Sequence, residues 1–254
     1  MKGVETVERS DESDFNGAWF KNEDKIQAKK SIVICGITRG GTSFAASVFA
    51  RLGVPYARRG ERDIGRRYEH RDLRAAFVAK DGAAINRIAT DFSQQFDVWA
   101  WKLPAIQREF AFVAEQVPNP HFVIIFKEPL SVSARKTDIK GKETLKSLQQ
   151  VMSVYQHMAK IALDTEYPLM LISYDRAMSS MKPFLREAAR FAGVEQYDFK
   201  KVVAAIREDG KRYFRPEPGT EESQTADPQP DAPRPAEKAK SGKKVRKNAP
   251  MSFL

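Results

Sequence analysis

Apolar and polar positions along the 254-residue chain follow two different periods. Runs of consecutive apolar, often β-branched residues occur at Ser31–Cys35 (Ser-Ile-Val-Ile-Cys), Val98–Leu103, His121–Phe126 (His-Phe-Val-Ile-Ile-Phe) and Leu169–Tyr174. Such runs predict strands buried on both faces, as in a parallel sheet, because a strand with one wet face would alternate. Between them the spacing turns helical. Ser43–Leu52 places Phe44, Val48, Phe49 and Leu52 on one face, and Gly53 closes it. Further helices are predicted over about 105–116, Leu130–Thr137, Lys142–Asp164, Lys182–Ala192 and Phe199–Glu208. This alternation of strand and helix predicts a three-layer α/β/α fold around a mostly parallel sheet.

The ends of the chain read differently. Residues 1–27 are polar and lack a period, apart from Trp19-Phe20, which is expected to pack on the domain. Residues 215–254 carry seven of the 14 prolines and end in a cluster of Lys238, Lys240, Lys243, Lys244, Arg246 and Lys247. That composition buries too little apolar surface to offset ordering entropy, so a disordered tail is expected. The folded α/β domain is then residues 28–214. No internal repeat is visible.

Composition narrows the function classes. The longest apolar stretches, such as Phe122–Phe126, fall far short of the ~18–20 residues of a spanning helix. The first residues show no apolar signal-peptide core, and Cys35 is the single cysteine, so a disulfide framework and a cysteine zinc site are excluded. A reducing, cytoplasmic setting is the expectation. Lys and Arg number 43 against 33 Asp and Glu, a net charge of +10. The balance favours an anionic partner, whether nucleotide, nucleic acid, sulfated glycan or membrane surface, without choosing among them.

The chemistry-bearing segment is Cys35-Gly-Ile-Thr-Arg-Gly-Gly-Thr-Ser43, between the first strand and the first helix. Glycines let the backbone curl round an anion, and the N–H groups of the helix start point at it. Gly36, Gly40 and Gly41 supply the turn, Thr42 and Ser43 supply hydroxyls, and Arg39 supplies a positive charge. Against the triphosphate loop G-x-x-x-x-G-K-[ST], Gly36, Gly41 and Ser43 fit, but Thr42 stands at the lysine position. The cation lies instead three residues upstream, at Arg39.

Thr38-Arg39-Gly40-Gly41-Thr42-Ser43 resembles the 5′-phosphosulfate loop of the sulfotransferase family, P-[KR]-S-G-T-[ST], with Thr for Pro and Gly for Ser. Lys127-Glu128-Pro129 after the third strand resembles that family's R-[DN]-P segment, and Arg135 stands where the family has a serine, with Ser131 and Ser133 nearby. Leu171-Ile-Ser-Tyr-Asp175 followed by Lys182–Val194 resembles the late strand, turn and helix of bacterial and Golgi-type members. The resemblance implies a P-loop NTPase-like α/β/α fold. It implies transfer of a sulfuryl group from 3′-phosphoadenosine 5′-phosphosulfate, a co-substrate, to a hydroxyl or amine without a metal. In that reading Arg39, Gly40, Gly41, Thr42 and Ser43 hold the 5′ group, and Lys127 with Ser133 or Arg135 holds the 3′-phosphate. The acceptor would be a small molecule, glycan or lipid, anionic if the nearby arginines face it, and nucleic acid is not expected.

A general base for the acceptor is sought among Glu61, Glu69 and His70, in that order. The family's Glu often lies about twenty residues past the loop, and Glu61 lies 22 residues beyond Arg39. Around them run Arg58, Arg59, Arg62, Arg66, Arg67, Arg71 and Arg74, seven arginines in 17 residues. These form an acceptor site for an anionic molecule, a contact for nucleic acid or a membrane surface, or a solvated helix face. Trp99 and Trp101 read as core. Lys102, at the end of their strand, is where family members often have a lysine facing the donor. Acceptor-forming loops are expected at 54–97 and 137–165. His121 and His157 read as structural. Two other functions stay open: a P-loop kinase-like transferase, disfavoured by Thr42, and a non-enzymatic phosphate- or nucleic-acid-binding protein.

Overall fold

A computed structural model describes residues 15–56, 68–137 and 141–211. In chain order it contains β1 (Ala18–Lys21), β2 (Lys30–Gly36), α1 (Thr42–Arg51), α2 (Arg71–Val78), α3 (Gly82–Gln95) and β3 (Val98–Lys102). Then follow α4 (Phe110–Gln116), β4 (Pro120–Phe126), α5 (Pro129–Thr137), α6 (Gly141–Asp164), β5 (Leu169–Ser173), α7 (Tyr174–Ser179), α8 (Met181–Ala192) and α9 (Phe199–Lys211). The sheet order is β1-β5-β4-β2-β3. Strands β3, β2, β4 and β5 are parallel, and β1 pairs antiparallel with β5. Three layers and a mostly parallel sheet are as the periodicity predicts.

Side chains of each central strand divide between two cores, as a two-residue period requires. Val33 and Cys35 of β2 join Trp99 and Trp101 against α2, α3, α4 and α6. Ile32 and Ile34 face the other way, with Val123 and Ile125, against α1, α8 and α9. Burial pushes the Cys35 thiol up to about 12, which makes it inert packing rather than a nucleophile.

Three features depart from the sequence reading. Strand β1 lies in the stretch read as polar and aperiodic, because four edge residues are too few to show a period. Its Phe20 ring meets Phe191 at 5.9 Å, whereas Trp19 is about half exposed. The helix predicted over 105–116 begins as a 3-10 segment, Pro104–Glu109, and becomes α-helical only at Phe110. Residues 71–95, read as part of a loop region, form α2 and α3. Leu73, Ala76 and Phe77 give α2 a buried stripe between exposed Arg71 and Arg74, so the arginines masked the helical period.

Helix α9 is fastened to α1 by a buried carboxylate. Asp209 accepts hydrogen bonds from Ser47 Oγ at 2.7 Å, Arg51 Nε and Nη2 at 2.9 and 2.7 Å, and Tyr68 Oη at 2.9 Å. Burial alone would raise this carboxyl, but these donors outweigh it and hold it below the usual aspartate range. A buried charge needs such saturation to be tolerable.

His121, fully buried in β4, is locked as a neutral ring. Its Nε2 accepts the Gln27 N–H at 3.1 Å, so Nδ1 donates to the Asn119 carbonyl, also at 3.1 Å. Burial, with a smaller push from Lys30, lowers its pKa from 6.5 to about 4. Below pH 6.5 the unfolded chain takes up a proton that the folded chain refuses until about pH 4. The His121 contribution is therefore intact above that window and lost across it, by roughly 3 kcal/mol. Urea unfolding of the wild type should show that excess loss between pH 7 and pH 4 relative to His121→Gln. Identical pH dependence in the two proteins would remove His121 as its source.

Candidate functional site

The site is built where β2 ends. Gly36 of β2 pairs with Ile125 of β4, so the loops leaving these two parallel strands emerge at one edge of the sheet. From β2 the chain turns through Thr38–Gly41 into α1, with the Gly40 N–H donating to the Ile37 carbonyl at 2.8 Å. A methyl on Gly40 would lie 2.8 Å from that same oxygen, so the close turn excludes a side chain. Gly41 caps α1 at φ 97°, a left-handed conformation natural to glycine, with no side chain covering the first-turn N–H groups. The Phe44 N–H donates to the Gly41 carbonyl at 2.9 Å, which closes the first turn. Arg39 adopts φ 69°, strained for an arginine, and is exposed. Thr42 is buried and Ser43 half-buried.

On the β4 side, Lys127 is fixed at both ends. Its N–H donates to Tyr155 Oη at 3.0 Å, and the same hydroxyl donates to its carbonyl at 2.6 Å. Its ammonium lies 4.2 Å from the centre of the Tyr174 ring. Burial, and then the charge of Arg135, hold Lys127 below the ordinary lysine range, with Asp175 and Glu128 opposing.

Glu128 takes a different role. Its carboxylate accepts the Leu130 N–H at 2.7 Å and the Ser131 N–H, capping α5. Bonds from Ser131, from the Leu130 N–H and from the Ser131 N–H hold its pKa low. The start of α5 is thus occupied by its own residue, Glu128. Ser133 is buried and donates to the Pro129 carbonyl at 2.8 Å, within its own helix.

Of the base candidates, two fall among the described residues. Glu61, with Arg58, Arg59, Arg62, Arg66 and Arg67, lies outside the described residues. His70 is buried as the N-cap of α2: Nδ1 accepts the Leu73 N–H at 3.3 Å and the ring stands edge-on to Phe92. Glu69 pairs at 2.8 Å with Lys102, a lysine only 2% exposed at the end of β3, and at 3.8 Å with Arg74. Lys102 thus lies on the flank of β2 opposite Lys127. His157 bonds the Gln107 carbonyl at 2.9 Å, as a structural residue would.

Sequence reasoning missed the two tyrosines. Tyr155 falls in the buried α6 series Val151, Tyr155, Met158 and Ala162, where a hydroxyl must find a partner. That requirement was the available signal. Tyr174 carried only its place after β5. Among the described residues no three His, Cys, Asp or Glu gather as metal ligands, and no helix is long and apolar enough to cross a membrane.

No protein-family model matches the chain, and no curated protein matches it in sequence. Solved structures with a related course of the chain include a sulfotransferase from Mycobacterium tuberculosis, at 12% identity and TM-score 0.41, covering 72% of both chains. Shikimate kinase from Bacteroides thetaiotaomicron matches at 12% identity and TM-score 0.35, covering 72% of this chain and 96% of its own. A retinol dehydratase solved with androsterone and the inactive cofactor PAP matches at 11% identity and TM-score 0.38, over 72% and 65%. The fold class rests on the strand order and register above.

The loop geometry makes a stability prediction. A methyl on Gly41 would meet Tyr174 Cδ2 at 2.9 Å, whereas Gly53, at φ 94°, has nothing within 4 Å. Gly53→Ala carries only the left-handed penalty of about 1 kcal/mol. Gly41→Ala adds the clash and should cost about 1 kcal/mol more. Equal losses in chemical denaturation would show that the Tyr174 ring does not press on the loop.

Proposed function

We propose that this chain is a sulfotransferase that moves a sulfuryl group from 3′-phosphoadenosine 5′-phosphosulfate to a hydroxyl or amine. The observation that carries the reading is the pairing of two cationic positions at one sheet edge. Arg39 stands in the glycine turn at the start of α1, and Lys127, just past the end of β4, stands within electrostatic reach of Arg135 of α5. A donor with phosphate groups at both its 5′ and 3′ ends suits two such positions; a triphosphate needs its cation in the first helical turn.

The residues present fit that donor. The Gly41, Thr42 and Ser43 amides and the Thr42 and Ser43 hydroxyls with Arg39 would hold the 5′ group, in a turn whose close approach at Gly40 an added Cβ would fill. Lys127 and Arg135 would hold the 3′-phosphate. The donor supplies an activated sulfuryl group with a phosphate leaving group. The chain's part is to position the donor and to offset the charge that grows on the bridging and equatorial oxygens. Arg39, exposed on the turn, is the mobile cation for the second task. The proton of the acceptor falls to Glu61 or Glu69, of which Glu69 is oriented by Lys102. His70 stays behind both, because capping occupies its Nδ1.

Arg39→Ala should leave the fold unchanged and lower transfer of labelled sulfate by about a hundredfold or more, as loss of one transition-state donor does elsewhere. Undiminished turnover would remove Arg39 from the chemistry. Calorimetry with 3′-phosphoadenosine 5′-phosphate and with ATP and magnesium separates the reading from a kinase: preference for ATP overturns it.

A further inference from the structure

Tyr174 touches both halves of the site. Its ring edge approaches the Cα of left-handed Gly41 so closely that an added methyl would lie 2.9 Å from Cδ2. The Lys127 ammonium sits 4.2 Å from the same ring's centre. The ring itself is anchored in the core. Phe44 of α1 meets it edge-on at 5.2 Å and 78°, and Phe44 in turn stacks on buried Phe184 at 5.8 Å. A lysine has a long flexible stem, and here its backbone is already pinned by Tyr155. An aromatic face restricts the remaining freedom electrostatically, through the negative face of the ring, without neutralising the charge. An aspartate in the same place would fix the ammonium but would cancel its attraction for a phosphate.

We infer that Tyr174 is a positioning residue for recognition of the donor's 3′-phosphate: its ring holds the Lys127 ammonium and braces Gly41, setting the distance between the two anion contacts. The inference rests on the sulfotransferase reading for the identity of the ligand. Its physical content is narrower, namely that ring electrostatics at position 174 control selectivity for a second phosphate. The ring is half-buried, which strengthens a cation–π contact relative to an exposed one.

The test compares 3′-phosphoadenosine 5′-phosphate with adenosine 5′-phosphate by calorimetry on the full chain, because the two differ only in the group at issue. The ratio of their affinities is the readout, since a general loosening of the loop would weaken both together. In the wild type the bisphosphate should bind at least tenfold better. Lys127→Met should remove most of that preference. Tyr174→Phe should retain it within about twofold, whereas Tyr174→Leu should lower it about fivefold. Leucine at 174 also leaves a cavity, so a ring-fluorinated phenylalanine at 174 supplies the isosteric comparison: the same size of ring with a weakened negative face. It should lower the ratio while the melting temperature stays that of Tyr174→Phe. An unchanged ratio in the fluorinated protein overturns the role of Tyr174 and leaves the donor assignment standing. A wild type that does not distinguish the two nucleotides overturns the donor assignment itself.

Discussion

The site depends on β2 being hydrogen-bonded on both sides, to β3 and to β4, with all three strands parallel. The sheet order places β3 on one flank of β2 and β4 on the other, so the chain leaves β2 toward β3 and leaves β4 toward β5 in opposite directions, the arrangement beyond whose C-terminal ends a crevice forms in open α/β sheets. The register then fixes which groups line that crevice. Gly36 opposite Ile125 brings the glycine turn level with Lys127, and Ile34 opposite Lys102 sets the Lys102–Glu69 pair lower on the other flank. A slip of one residue would send Ile32 and Ile34 to the wrong core, so the two buried faces enforce the register that the site requires.

Charge is unequal across that crevice. On the β3 flank, buried Lys102 is compensated by Glu69 at 2.8 Å. On the β4 flank, Lys127 and Arg135 share a neighbourhood in which Glu128 is engaged with the α5 amides. Burial is the main cause of the lowered Lys127 value, with Arg135 adding to it and Asp175 and Glu128 opposing. The fastening of α9 to α1 through Asp209 steadies the same arrangement from below, because Ser47 and Arg51 belong to the helix whose first turn forms the anion loop.

The four parallel strands and the loop were legible in the sequence because each rests on a local pattern. Apolar runs of five to seven residues mark strands buried on both faces, and glycines between a strand and a helix start mark a tight turn. What escaped was set by tertiary context. Four residues of β1 gain meaning only through pairing with β5, and the stripe of α2 was obscured by exposed arginines. For His70 and Glu69 the sequence showed residue types suited to proton transfer, but not the Leu73 amide and the Lys102 ammonium that engage them. Tyr174 was invisible for the same reason: its role lies in contacts with Gly41, Phe44 and Lys127, distant from it in the chain.

Arg39 and Thr42 together show why the cation lies where it does. A lysine in the first helical turn, as in triphosphate loops, needs room for its stem to rise from that turn. Here Thr42 is only 4% exposed, and its Cγ2 lies 3.0 Å from where a methyl on Gly36 would sit. A lysine at 42 would have to displace that packing, at the cost usual for overfilling a core. Arg39 meets no such barrier, being exposed, but it holds a left-handed backbone that glycine would adopt without strain. Strain of about 1–3 kcal/mol that a glycine would relieve is consistent with a side chain retained for its charge. The packing at Thr42 and the strain at Arg39 thus point the same way, to a loop shaped around a cation on the turn rather than on the helix.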